Sequence, residues 1–142
     1  MYDVRTRYLA DTVATATPSR LLVMLYDRLV LDVDRAESAL RRGDRAGASA
    51  QLVHAQDIVA ELISSLDVDA WSGAAGLQSL YTFLLSELIE TNMTADPERA
   101  VACRAIIAPL QEAWQAAADE LSRTAIPTQH SAPVLTGELG VG

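Results

Sequence analysis

"ATPSRLLVMLYDRLVLD", residues 16–32, opens as a helix and then carries more apolar side chains than one packed face needs. Thr17 offers an N-cap hydroxyl and Pro18 suits the first helical position, where its missing N–H is no loss. Leu21, Leu22, Val23, Met24, Leu25 and Tyr26 then follow without a break. A helix buried on one side uses a stripe of about three or four apolar residues per two turns. The surplus has to serve a deeper core, a membrane or a partner.

Working outward from this stretch, capping and periodicity divide the chain into four helices. The first runs from Thr17-Pro18 to about Arg42, with Gly43 to end it. Asp44 can cap the second, which continues to about Leu66. "DVDAWSGAAG" (67–76) is a turn region, and the third helix spans about Leu77 to Thr94. Asp96-Pro97 repeats the cap-and-proline start for a fourth helix reaching about Ser122. Apolar residues recur at spacings of three and four. They are Leu22, Leu25, Leu29, Val33, Ala36 and Leu40 in the first helix, and Leu52, Ala55, Val59, Leu62 and Leu66 in the second. The third has Leu77, Tyr81, Leu84 and Leu88; the fourth has Ala100, Cys103, Ile107, Leu110, Trp114, Ala117 and Leu121. Such seams pack helices at about 20° to one another, and short connections make neighbours antiparallel. The expected fold is an all-α, antiparallel four-helix bundle over residues 17–124. Pro109 is expected to kink the fourth helix. Residues 1–16 are expected to form a mobile N-terminal segment, and "AIPTQHSAPVLTGELGVG" (125–142) is expected to be a disordered tail.

Composition narrows the function. The chain has 142 residues, one domain's worth, with half of them apolar and a net charge of −8. Its basic residues are all Arg and form no dense run, so phosphate-rich nucleic acid and anionic membrane surfaces are poor partners. No apolar run approaches the ~20 residues of a membrane span, and "MYDVRTRYLAD" lacks a signal peptide's apolar core. A cytoplasmic location and no direct membrane insertion are expected.

On a helical wheel with Leu22 at zero, Met24 and Leu31 fall near 200° and 180°, facing away from the seam. Val23 and Val30 lie on a shoulder. Val53 and Ile58 flank the second seam, and Phe83, Ile89 and Met93 lie off the third. An outward stripe of this kind marks an interaction surface, and an amphipathic segment would bury its own apolar face there. The plainer alternative is that these residues close the shoulders of a thick bundle or pack under residues 1–16.

Catalytic patterns are absent from the sequence. Neither His54 nor His130 follows a Glu by three residues, as a bundle-borne di-metal site requires, and one Cys with two distant His cannot make a zinc site. No Gly-rich phosphate loop occurs. Cys103 lies on a core seam, the place of an inert thiol. No enzyme activity, cofactor or metal is expected. His54 on the second helix raises a histidine-phosphotransfer domain as a rival, but "QLVHAQDIVAEL" supplies Asp57 and Glu61 instead of a cation for the phosphoryl group. A solvated flank histidine is the plainer alternative.

Several motifs together resemble the flagellar secretion chaperone family, FliS. "TATPSRLLVMLYD" (15–27) is similar to that family's T-A-S-P-x-x-L-x-x-M-L-Y-D-G. "HAQDIVAELISSLD" (54–67) and "LQSLYTFLLSELIETNMTAD" (77–96) resemble its later motifs, and Trp114 and Tyr8 sit where it has a late tryptophan and an early tyrosine. Arg28 stands where the family usually has Gly, His54 where Lys is common, and Thr91 where Ala precedes the Asn. The resemblance implies a cytosolic export chaperone. It would hold the disordered C-terminal segment of flagellin, prevent premature polymerisation and keep the subunit competent for type III secretion. By that resemblance Tyr8 lies on a movable groove cover, and Met24, Tyr26, Asp27, Tyr81 and Asn92 are matched partner-binding positions. Leu31 and Ile58 join them through their outward apolar placement alone. The flagellar export gate and flagellar regulators are candidate further partners. A purely structural, self-associating bundle is the remaining rival.

Overall fold

The computed structural model describes the backbone of residues 18–141 and the side chains of residues 18–124. Four helices account for nearly all of it: α1 (Pro18–Arg41), α2 (Arg45–Ser65), α3 (Ala74–Thr94) and α4 (Pro97–Val141).

Local chemistry sets the ends. α1 stops where Gly43 takes a φ of +77°, a left-handed conformation that costs glycine nothing. The Asp44 N–H then donates to Ala39 O (2.8 Å) and the Gly43 N–H to Leu40 O (3.2 Å), the paired bonds of a Schellman motif. Asp44 next caps α2, its Oδ1 accepting from the Gly47 N–H at 2.9 Å. Asp96 caps α4, its Oδ1 accepting from the Glu98 N–H at 3.0 Å. Thr17, the expected cap of α1, lies outside the described residues.

One boundary differs from expectation. α3 starts at Ala74 instead of Leu77, because Gly73 begins the helix without any side-chain cap to signal it. α4 is helical as far as Val141, past Pro109, Pro127 and Pro133. Proline's fixed φ is itself helical, so the chain can continue, although each proline removes one bond from the ladder.

The residues divide into two compact units, one of Met24–Gln111 and one holding the described residues up to Val23 and from Glu112 onward. The first contains parts of all four helices, packed as a bundle. Polar pairs fix its directions. Arg41, at the end of α1, bonds Glu98 at the start of α4 (2.9 Å); Arg104 reaches Asp34 (2.7 Å) and Gln111 reaches Asp27 (2.8 Å). Each step forward along α4 is therefore a step back along α1. Arg45 at the start of α2 donates to Met93 O near the end of α3 (3.0 Å), so these two also run opposite ways. Exposed pairs like these contribute about 0–1 kcal/mol each, and their main effect is to set register.

Burial supplies the stability. Leu29 and Val33 of α1, Leu52 and Val59 of α2, Leu84 and Leu88 of α3, and Cys103 and Ile107 of α4 are at most 1% exposed. All four expected core residues of α3 are buried. In α1 the seam is displaced: Val23, Tyr26 and Ala39 are buried, whereas Leu22, Leu25 and Leu40 are only half-buried. The expected seam of α4 ends sooner than its periodicity suggests, with Ala117 and Leu121 exposed and Ala118 buried instead. Burial pushes the Cys103 thiol pKa up, as suits an inert core cysteine.

Ala95 ends α3 with a φ of +55°, the one described non-glycine residue in the left-handed region. Its Cβ is unfavourable there. Ala95→Gly is expected to stabilise the chain by about 0.5–1 kcal/mol, read as a higher midpoint in urea unfolding.

Candidate partner-binding surface

The apolar first half of α1 is divided into an inner and an outer part. On the inner side, the hydroxyls of Tyr26 (α1) and Tyr81 (α3) meet at 2.5 Å, and both residues are almost fully buried. Burial raises the pKa of the Tyr81 phenol, while the bond to Tyr26 opposes that rise, so the Tyr81 ring stays neutral at ordinary pH. The pair is a polar brace across the core. Tyr26→Phe leaves the Tyr81 hydroxyl without this partner and is expected to cost about 1–3 kcal/mol in a denaturant titration.

The outer part carries Leu31, 38% exposed, and Met24, half-buried. Asp27 is exposed next to them, and its Oδ1 accepts from Gln111 of α4 at 2.8 Å. Asn92 is half-buried at the end of α3, where its carbonyl takes a bond from Arg45 (3.4 Å). Further exposed apolar side chains are Val53 on α2 and Phe83, Ile89 and Met93 on α3.

Three expected contact residues do not face outward in the free chain. Ile58 was placed outward by its wheel position, but at 6% exposure it belongs to the core of α2. That core face is broad, since Ala55, Ile58, Val59 and Leu62 are all buried. Tyr26 and Tyr81 are withdrawn into their mutual bond, which gives both motif tyrosines a structural task. Tyr8 lies outside the described residues.

A charged cluster escaped the sequence reading. Asp32 is wholly buried; its Oδ1 accepts from Arg28 Nε (2.9 Å) and its Oδ2 pairs with His54 Nδ1. A buried carboxylate needs such partners, because desolvation alone would cost several kcal/mol. The two residues that meet it, Arg28 and His54, both stand where the chaperone family usually has something else. His54 is half-exposed yet tied to an acid, and is therefore no free flank histidine. The i, i+4 spacing of Arg28 and Asp32 was a readable signal for half of this cluster. Thr91, a third departure, is buried and donates its hydroxyl to Glu87 O at 2.7 Å, which satisfies it within its own helix.

Among the described residues no group of acids, His and Cys could hold a metal ion, and no helix is long and apolar enough to cross a membrane. What the fold presents is a helical bundle with outward apolar side chains on α1, α2 and α3, the features of a protein-binding module. The family described as "Flagellar protein FliS" matches residues 1–121, and the chain belongs to that family. The chain is also similar to a flagellar secretion chaperone FliS of Bacillus subtilis (strain 168). The two are 26% identical over 112 residues, which covers 79% of this chain and 84% of that protein.

Proposed function

We propose that this protein is a cytoplasmic, non-enzymatic export chaperone that holds the disordered C-terminal segment of flagellin against the outer face of α1. Flagellin held in this way cannot polymerise early and stays competent for flagellar type III secretion. The observation that carries the placement is the exposure of Leu31 beside half-buried Met24, within the family's opening motif. Asp27 and Asn92 lie at matched positions and supply polar contacts to the same segment. The brace of Tyr26 and Tyr81 holds α1 in place beneath it.

The physics of such a client favours a long surface over a deep pocket. Coupled folding of a disordered segment buries about 1,000–3,000 Å² and costs about 2–5 kcal/mol in ordering. Binding alone shifts flagellin away from assembly, and no nucleotide is required. The flagellar export gate and flagellar regulators are further partners on this account. Flagellin polymerisation followed by light scattering tests the account. One equivalent of the chaperone is expected to suppress filament growth, and undiminished growth at several equivalents would reject it.

A further inference from the structure

Beyond Leu31, the outer face of α1 changes from apolar to basic. The row Met24, Leu31, Ser38 runs along the helix at seven-residue spacing, and Arg28, Arg35 and Arg42 form a second row beside it. Seven residues bring an α-helix back to within about 20° of the same direction, so each row is a ridge. Both ridges run into a cleft of about 390 Å³ between α1 and α2, lined by Asp34, Arg35, Ser38, Arg42 and Gln51 among others.

The polar groups of this cleft are unevenly satisfied. Arg35 has no hydrogen bond or ion pair among the described residues. Arg42 has one loose pair, 3.6 Å to Asp44, between two exposed side chains. Such a pair contributes little and exchanges readily. The acid in the lining, Asp34, is already neutralised by Arg104 at 2.7 Å. On the α2 side, Gln51 Oε1 is buried with no hydrogen-bond partner. A buried carbonyl oxygen in that state lacks a donor, and the two exposed guanidiniums, held by no close ion pair, are open to an acceptor.

We propose that this cleft seats a carboxylate-bearing stretch of polypeptide, continuous with the apolar segment held along Met24 and Leu31. The inference rests on the export-chaperone reading and adds a charge requirement to the client. An Asp or Glu side chain, or a terminal carboxylate, pairs with Arg35 and Arg42, and a turn of the Gln51 side chain toward the cleft lets its Oε1 accept from a neighbouring backbone N–H. A small inorganic anion would satisfy the cations and leave the Gln51 oxygen unpaired. Charge complementarity also favours this occupant. In a chain of net charge −8, the cleft offers an acidic segment two cations that no close ion pair neutralises.

The test is a titration of the full-length protein with the C-terminal segment of flagellin, at low and at high salt. Arg35→Gln is compared with Arg123→Gln, which removes the same charge from an exposed position outside the cleft. The expected result is binding weakened about tenfold by Arg35→Gln at low salt, with the difference shrinking as salt is raised, and no change for Arg123→Gln. Equal affinity and an equal salt slope for Arg35→Gln and the unaltered protein would overturn the cleft while leaving the chaperone reading intact. Equal weakening by both variants would also overturn it, since long-range charge would then be the cause. An unaltered protein that fails to bind at all would reject both.

Discussion

Changing Met24 and Leu31 together to Asp is expected to abolish capture of flagellin's C-terminal segment and leave the helical circular dichroism spectrum in place. Two apolar anchors at the centre of an interface commonly contribute about 2 kcal/mol or more each, so the pair corresponds to roughly a thousandfold loss of affinity. The two positions are not equivalent. Leu31 is 38% exposed, and a carboxylate there meets water in the free chain, so Leu31→Asp alone should bind poorly and unfold normally. Met24 is half-buried, and its replacement also removes some packing. A fall in stability confined to Met24→Asp fits the account. Unfolding by Leu31→Asp would show that the outer stripe is core.

The largest effect on stability is expected inside the bundle. Leu84 is fully buried in the middle of α3, in line with Leu77, Tyr81 and Leu88. Leu84→Ala removes the transfer free energy of the lost methyl groups and leaves a cavity that rigid helices cannot fully close. The expected cost is about 2–5 kcal/mol, on the order of a 10 °C fall in Tm for a domain of this size. The effect reaches binding only through the folded fraction. A variant kept below its own Tm should therefore take up flagellin with nearly normal affinity, the converse of the behaviour at Leu31.

Elements marked by local chemistry were legible in the sequence. Gly43, Asp44 and Asp96-Pro97 stop, cap and start helices through bonds to residues a few positions away, and each does so in the structure. Where the signal was weak, as at Gly73, the boundary was misplaced by three residues. The seam of α1 was misplaced for a different reason. Its buried residues step by threes (Val23, Tyr26, Leu29; then Val33, Ala36, Ala39), a stripe that slants round the helix as it crosses its neighbours. A wheel drawn at fixed angle treats that stripe as straight and promotes Leu22 and Leu25 in place of Val23 and Tyr26.

Pairings between helices were the least legible. Periodicity tells which face a residue occupies and says nothing about what stands opposite. The brace of Tyr26 and Tyr81 spans 55 residues, and His54 meets Asp32 across 22. Ile58 shows the same limit: whether a flank position is covered depends on the helices beside it, and here they cover it. The outward position of Leu31 was legible because it lies opposite the seam, and it is 38% exposed.

The central claim is tested most directly by calorimetric titration of the full-length protein with its own organism's flagellin, intact and lacking the C-terminal segment. The account predicts tight one-to-one binding to the intact protein and none to the truncated one. No heat from either, with the bundle folded and Leu31 exposed, would contradict it and leave the outer face of α1 to self-association.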